Sequence, residues 1–144
     1  MPQHVAKFRR ALPELVWFAA HAGQIAYLGD AEPPPQISQF WGLDPVSQQW
    51  RVDMMLERGS TAAEWVYKRD LSIRKPRADV TSRDPAGIPY LAPAAVLLFK
   101  AKDRRDKDEA DFTAALPLLD LSDRRQLRDW LTIVEPGHDW LSSL

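Results

Sequence analysis

IPYLAPAAVLLFKAKDRRDKDEADF, residues 88–112, is the stretch on which the fold turns. Pro93 suits the first turn of a helix, where its missing N–H costs nothing. Val96, Leu97, Phe99 and Ala101 then predict a helix that is largely buried. Lys100 and Lys102 fall in its last turn, where cations oppose the helix dipole favourably. The charged break Asp103-Arg104-Arg105-Asp106 leads to a second helix that opens on Lys107, Asp108 and Asp111. Acidic residues suit that position.

Downstream, the pattern predicts a helix from Asp108 to Leu119 that Pro117 stops or kinks. An amphipathic helix follows over Ser122–Val134, with Leu127, Trp130, Leu131 and Val134 at helical spacing and an N-cap from Asp120 or Ser122. Glu135-Pro136-Gly137 stops it, and a short turn over His138–Leu141 docks Trp140. Upstream, a helix is expected over Gln3–Leu12 with Val5, Phe8 and Leu12 on its buried face. Two strands, Leu15–Ala20 and Gln24–Leu28, flank a His21-Ala22-Gly23 turn. A loop occupies Asp30–Pro35. A second hairpin joins Ile37–Trp41 to Trp50–Glu57 through Asp44-Pro45-Val46-Ser47. Strict alternation would put Trp50, Val52, Met54 and Leu56 on one face and Arg51, Asp53, Met55 and Glu57 on the other. Glu64–Lys68 reads as a further strand after the Arg58-Gly59-Ser60 turn, and residues 69–84 read as irregular and exposed. The expected architecture is α+β: a small, largely antiparallel sheet region over residues 1–87, with a helical region over 88–144 packed on it as one compact body.

A chain of 144 residues can bury a sizeable core. Its formal charge of −1, with signs interspersed, gives no electrostatic case for nucleic acid or an anionic membrane. It has no cysteine, which excludes disulfides, thiolate catalysis and thiolate metal sites. No segment is apolar enough to span a bilayer, so a cytoplasmic protein is the default expectation. The twelve prolines and six tryptophans point to much ordered loop packed around aromatic side chains. His4, His21 and His138 lack metal-ligand spacing.

Three runs resemble the C-terminal signature of nucleotidyltransferases related to the aminoglycoside and lincosamide adenylyltransferases. They are Gly87-Ile88-Pro89-Tyr90-Leu91-Ala92-Pro93, Leu97-Leu98-Phe99-Lys100-Ala101-Lys102 and Lys107-Asp108-Glu109-Ala110-Asp111-Phe112. His138-Asp139-Trp140-Leu141 after Pro136 resembles that family's tail. The resemblance implies a nucleotidyltransferase-like fold and transfer of a nucleoside monophosphate from ATP or another NTP, with Mg²⁺, to a hydroxyl on a small, aminoglycoside-like acceptor. It matches Asp53 to the family's third carboxylate, which binds metal or acts as base toward the acceptor. It assigns Lys107 to the triphosphate, with Lys100 and Lys102 as further phosphate contacts, and Asp108 and Asp111 to orienting the basic groups. Each residue also has an ordinary reading. Asp53 can be a hydrogen-bonded strand aspartate, Lys107, Asp108 and Asp111 can cap a helix, and Lys100 and Lys102 can snorkel from a buried one.

The family's Gly-rich turn and Asp-x-Asp strand are not found between Met1 and Asp53. Asp106-Lys107-Asp108 has the spacing but sits at a helix start. The expectation is a domain truncated at its N-terminal side, active if the catalytic segment is supplied. The alternative is an inactive relic that binds nucleotide weakly or serves as an interaction module, dimerising through an exposed sheet edge.

Overall fold

A computed structural model describes residues 2–29, 34, 36–57, 59–102 and 104–144, with side chains from residue 5 onward. The Asp30–Pro35 loop lies outside the described residues except for Pro34, as do Arg58 of the proposed turn and Asp103 of the charged break. The protein is mixed α+β with antiparallel sheets. It divides into two compact units, Met1–Arg58 and Gly59–Leu144, so residues 59–87 belong with the helices rather than with the first sheet.

In the N-terminal unit, helix α1 (Pro2–Ala11) precedes strands β1 (Val16–His21), β2 (Gln24–Tyr27), β3 (Gln39–Asp44) and β4 (Gln49–Met55). They form one antiparallel sheet in the order β2-β1-β3-β4. Ala22 and Gly23 both have positive φ, 49° and 76°, the signature of a two-residue hairpin turn whose twist matches its strands. Val5 of α1 is buried with Trp17, Ala19, Phe40 and Met54, and this inner layer is the unit's core. Phe8, expected on the buried face, is 47% exposed. The helix buries a narrower stripe than its composition suggests.

The alternation expected of β4 breaks at Arg51. The register passes from Gly42 opposite Val52 to Leu43 opposite Trp50, leaving Arg51 as the extra residue of a bulge. That single residue turns Trp50 away from Val52 and Met54. Trp50 packs instead against Phe18 and Trp41, each with ring centroids at 5.3 Å, while Tyr27 meets Phe18 at 5.8 Å. The sheet's outer face is therefore aromatic.

The C-terminal unit contains β5 (Glu64–Val66) paired with β6 (Arg74–Pro76), and β7 (Thr81–Arg83) paired with β8 (Pro89–Leu91). A 3₁₀ turn, Arg77–Val80, joins the two pairs. Residues 69–84 are thus more ordered than the sequence reading allows, and Ile73 and Val80 are core residues. Three helices follow: α2 (Pro93–Ala101), α3 (Asp106–Ala115) and α4 (Leu121–Val134). Pro93 stands in the first turn of α2, Pro117 lies in a 3₁₀ turn after α3, and the Asp120 carboxylate caps α4 by accepting from the N–H groups of Ser122 and Asp123. Leu97, Leu98, Leu127 and Leu131 pack with Trp65, Trp130 and Trp140 in the unit's core.

Helix α2 is the centre of this unit, and its last turn is closed by three side chains distant in sequence. The Tyr67 hydroxyl donates to the Leu98 carbonyl at 3.2 Å, and Arg69 donates to that of Phe99 at 2.8 Å. The His138 Nε2 lies 3.1 Å from the Ala101 oxygen. Its Nδ1 accepts from the Trp140 amide, so Nε2 carries the proton. Helix-end carbonyls that α2 cannot satisfy internally are met by tertiary structure.

Candidate functional site

The residues singled out by the sequence fall into three places. Lys100, Asp108 and Asp111 come together where α2 meets α3. The Lys100 ammonium lies 3.1 Å from Asp108 Oδ1 and 2.6 Å from Asp111 Oδ2. Asp108 is 1% exposed and accepts three further bonds from one residue, Arg105. These come from Nε at 2.7 Å, the terminal guanidinium nitrogen at 3.2 Å and the backbone N–H at 3.2 Å. The backbone bond is the reciprocal half of a capping box. Arginine has no acceptor, so the other half does not form.

The electrostatics follow from these contacts. The Arg105 guanidinium, then Lys100, outweighs the cost of burial and holds the Asp108 carboxyl well below the usual carboxylate range. Asp111 and then Asp108 raise the Lys100 ammonium. Asp108 and Lys100 both stay charged at neutral pH and are paired with each other. The arrangement is a charged rivet between two helices, in which Lys100 and Arg105 are the basic partners of Asp108, and Lys100 that of Asp111.

The tail motif extends the same construction. Arg104 reaches Glu109 at 3.0 Å and Asp139 at 2.8 Å. The Trp140 indole N–H donates to Glu109 at 2.8 Å, and its ring stacks on Phe112 with centroids 4.1 Å apart and planes within 4°. Lys100, Arg104, Glu109, Phe112 and Trp140 thus help to hold α2, α3 and the C-terminal turn together.

Lys107 and Lys102 stand apart from that rivet. Lys107 is exposed in the first turn of α3, and Lys102 is exposed at the end of α2, on the wall of a groove described below. Neither has a bonded partner among the described residues.

Asp53 belongs to the N-terminal unit. It is exposed on β4 opposite Trp41 of β3, on the aromatic face. The Gln39 amide nitrogen donates to both of its carboxylate oxygens at 3.0 Å. One amide thereby fixes the carboxylate's orientation without neutralising it. Sequence reasoning missed Gln39 because its relation to Asp53 follows only from the β3/β4 register. It also missed Arg105, although that residue lies three positions from Asp108, a spacing at which helix-start charges meet.

Among the described residues no group of three or more His, Asp or Glu side chains could hold a metal ion. A lone carboxylate leaves Mg²⁺ mostly hydrated. The described residues therefore do not fit a magnesium ion held by Asp53 alone, as the sequence already implies. Among the described residues no helix is long and apolar enough to cross a membrane. No family model, curated protein or solved structure significantly matches the chain.

Proposed function

We propose that this chain is a nucleotidyltransferase-like body that supplies the acceptor-side carboxylate, with the groups that hold the nucleotide coming from outside it. The reading rests on the sequence resemblance and on one observation: Asp53 is exposed on a strand and aimed by a two-point contact to Gln39. Asp53 acts as base toward a hydroxyl of a small, aminoglycoside-like acceptor.

The test combines the chain with a segment bearing a Gly-rich turn and an Asp-x-Asp strand, then follows labelled AMP from ATP to an aminoglycoside. Asp53→Asn should lower kcat by about 10²–10⁴-fold, the contribution of a positioned general base. Transfer that is indifferent to Asp53 sinks the assignment.

A second reading is favoured by the engagement of Lys100, Asp108 and Asp111 with one another: the chain is a non-catalytic relic that works as a weak nucleotide-binding or interaction module. ATP and GTP titrations with and without Mg²⁺ separate the two. Magnesium-enhanced binding lost in Lys107→Ala supports a remnant nucleotide site. An absence of binding leaves only the interaction role.

A further inference from the structure

A groove of about 300 Å³ opens in the C-terminal unit beside the ends of α2 and α4. Its volume is at the lower end of ligand cavities, suited to a small metabolite rather than a nucleoside triphosphate. Ile133 and Val134 give it an accessible aliphatic lining, and Ile133 is left 54% exposed. Two cations, Arg69 and Lys102, and two carboxylates, Asp70 and Glu135, share its walls.

One member of each charge pair is fixed. Arg69 donates to the Phe99 carbonyl, and its guanidinium carbon lies 5.9 Å from the Phe99 ring centroid. Asp70 Oδ1 accepts from the Ser72 amide at 2.9 Å and the Ser72 hydroxyl at 2.7 Å. The other members, Lys102 and Glu135, are exposed and have no partner among the described residues, including each other. An apolar lining with one uncommitted ammonium and one uncommitted carboxylate matches a molecule that carries both charges next to a hydrocarbon group.

We infer that this groove is a binding site for a small zwitterion, an α-amino acid with an aliphatic side chain. Lys102 takes the carboxylate, Glu135 takes the ammonium, and the side chain lies on Ile133 and Val134. The site is independent of nucleotidyl transfer.

Amide NMR of the full chain tests it with three probes that share one hydrocarbon group: leucine, 4-methylpentanoate and 3-methylbutylamine. Leucine should shift resonances of residues 67–70, 98–102 and 133–135, and each single-charge probe should bind about tenfold more weakly or worse, the worth of one charge-assisted contact. Lys102→Gln should weaken leucine about tenfold and leave the amine unaffected, and Glu135→Gln should do the converse with the acid. Both side chains are exposed, so an unchanged amide spectrum in the absence of ligand verifies the fold. Either single-charge probe binding as tightly as leucine, leucine shifts confined to other residues, or no shifts at all would overturn the inference.

Discussion

Asp108, a helix-start carboxylate in the sequence, is a buried junction of charge in space. Its carboxylate accepts four donors, one from α2 and three from its own N-cap residue, and it is almost inaccessible. Removing the charge leaves Arg105 without its carboxylate and Lys100 with Asp111 alone, so Asp108→Asn should lower the melting temperature and the urea midpoint at pH 7. The pH dependence has a definite sign. The folded-state pKa is depressed below an unfolded value of about 3.9, so this stabilisation is fully present above that value and lost as pH falls toward the folded one. Urea midpoints at pH 7 and pH 3 should differ less in Asp108→Asn than in the parent. An equal difference would show that the rivet does not contribute. Asp44 obeys the same sign. Its carboxyl, lowered to about 2 by the Ser47 hydroxyl and by the Val46 and Ser47 amides, stabilises the β3–β4 turn until the pH drops through that range.

Hairpins and helix ends carry the next set of consequences. Gly42 is buried in β3, where an added Cβ would lie 2.9 Å from Leu15 Cδ1 and 3.4 Å from both Trp17 and Val52. Gly42→Val should therefore overpack the N-terminal core and cost about 1–3 kcal/mol in chemical denaturation. Ala22 adopts a φ of 49°, which asparagine tolerates better, so Ala22→Asn should stabilise by about 0.5–1 kcal/mol. A neutral or negative effect would contradict the turn geometry. Elements built on local periodicity were legible in the sequence: α4 through Leu127, Trp130, Leu131 and the Asp120 cap, and both hairpins of the N-terminal sheet through their turn residues. Elements built on long-range pairing were not. Arg74-Lys75-Pro76 has no strand pattern of its own and becomes β6 by pairing with Glu64–Val66. The bulge at Arg51 is invisible to strict alternation, so Trp50 was assigned to the wrong face. Lys100, Asp108 and Asp111 were legible as residues of interest, but the part of Arg105, whose side chain and backbone both hold Asp108, was not.

Across the whole molecule, each unit has its own hydrophobic core. The C-terminal core joins three helices, two strand pairs and the docked Trp140, and should suffice for independent folding. A fragment spanning residues 59–144 should unfold cooperatively with helical circular dichroism. A gradual, non-cooperative melt would mean that its core needs the rest of the chain. Within that fragment, Leu98→Ala should cost about 2–5 kcal/mol, since Leu98 is fully buried at the centre of α2. The aromatic packing gives each unit a separate optical identity. Trp41 and Trp50 lie 5.3 Å apart in the first unit, and Trp65 and Trp130 lie 5.7 Å apart in the second. Indoles this close share their excited states, so each pair imprints its own chiral exciton signal. Trp50→Phe silences the first and Trp130→Phe the second, and the signal each variant retains then follows the loss of order in the other half alone.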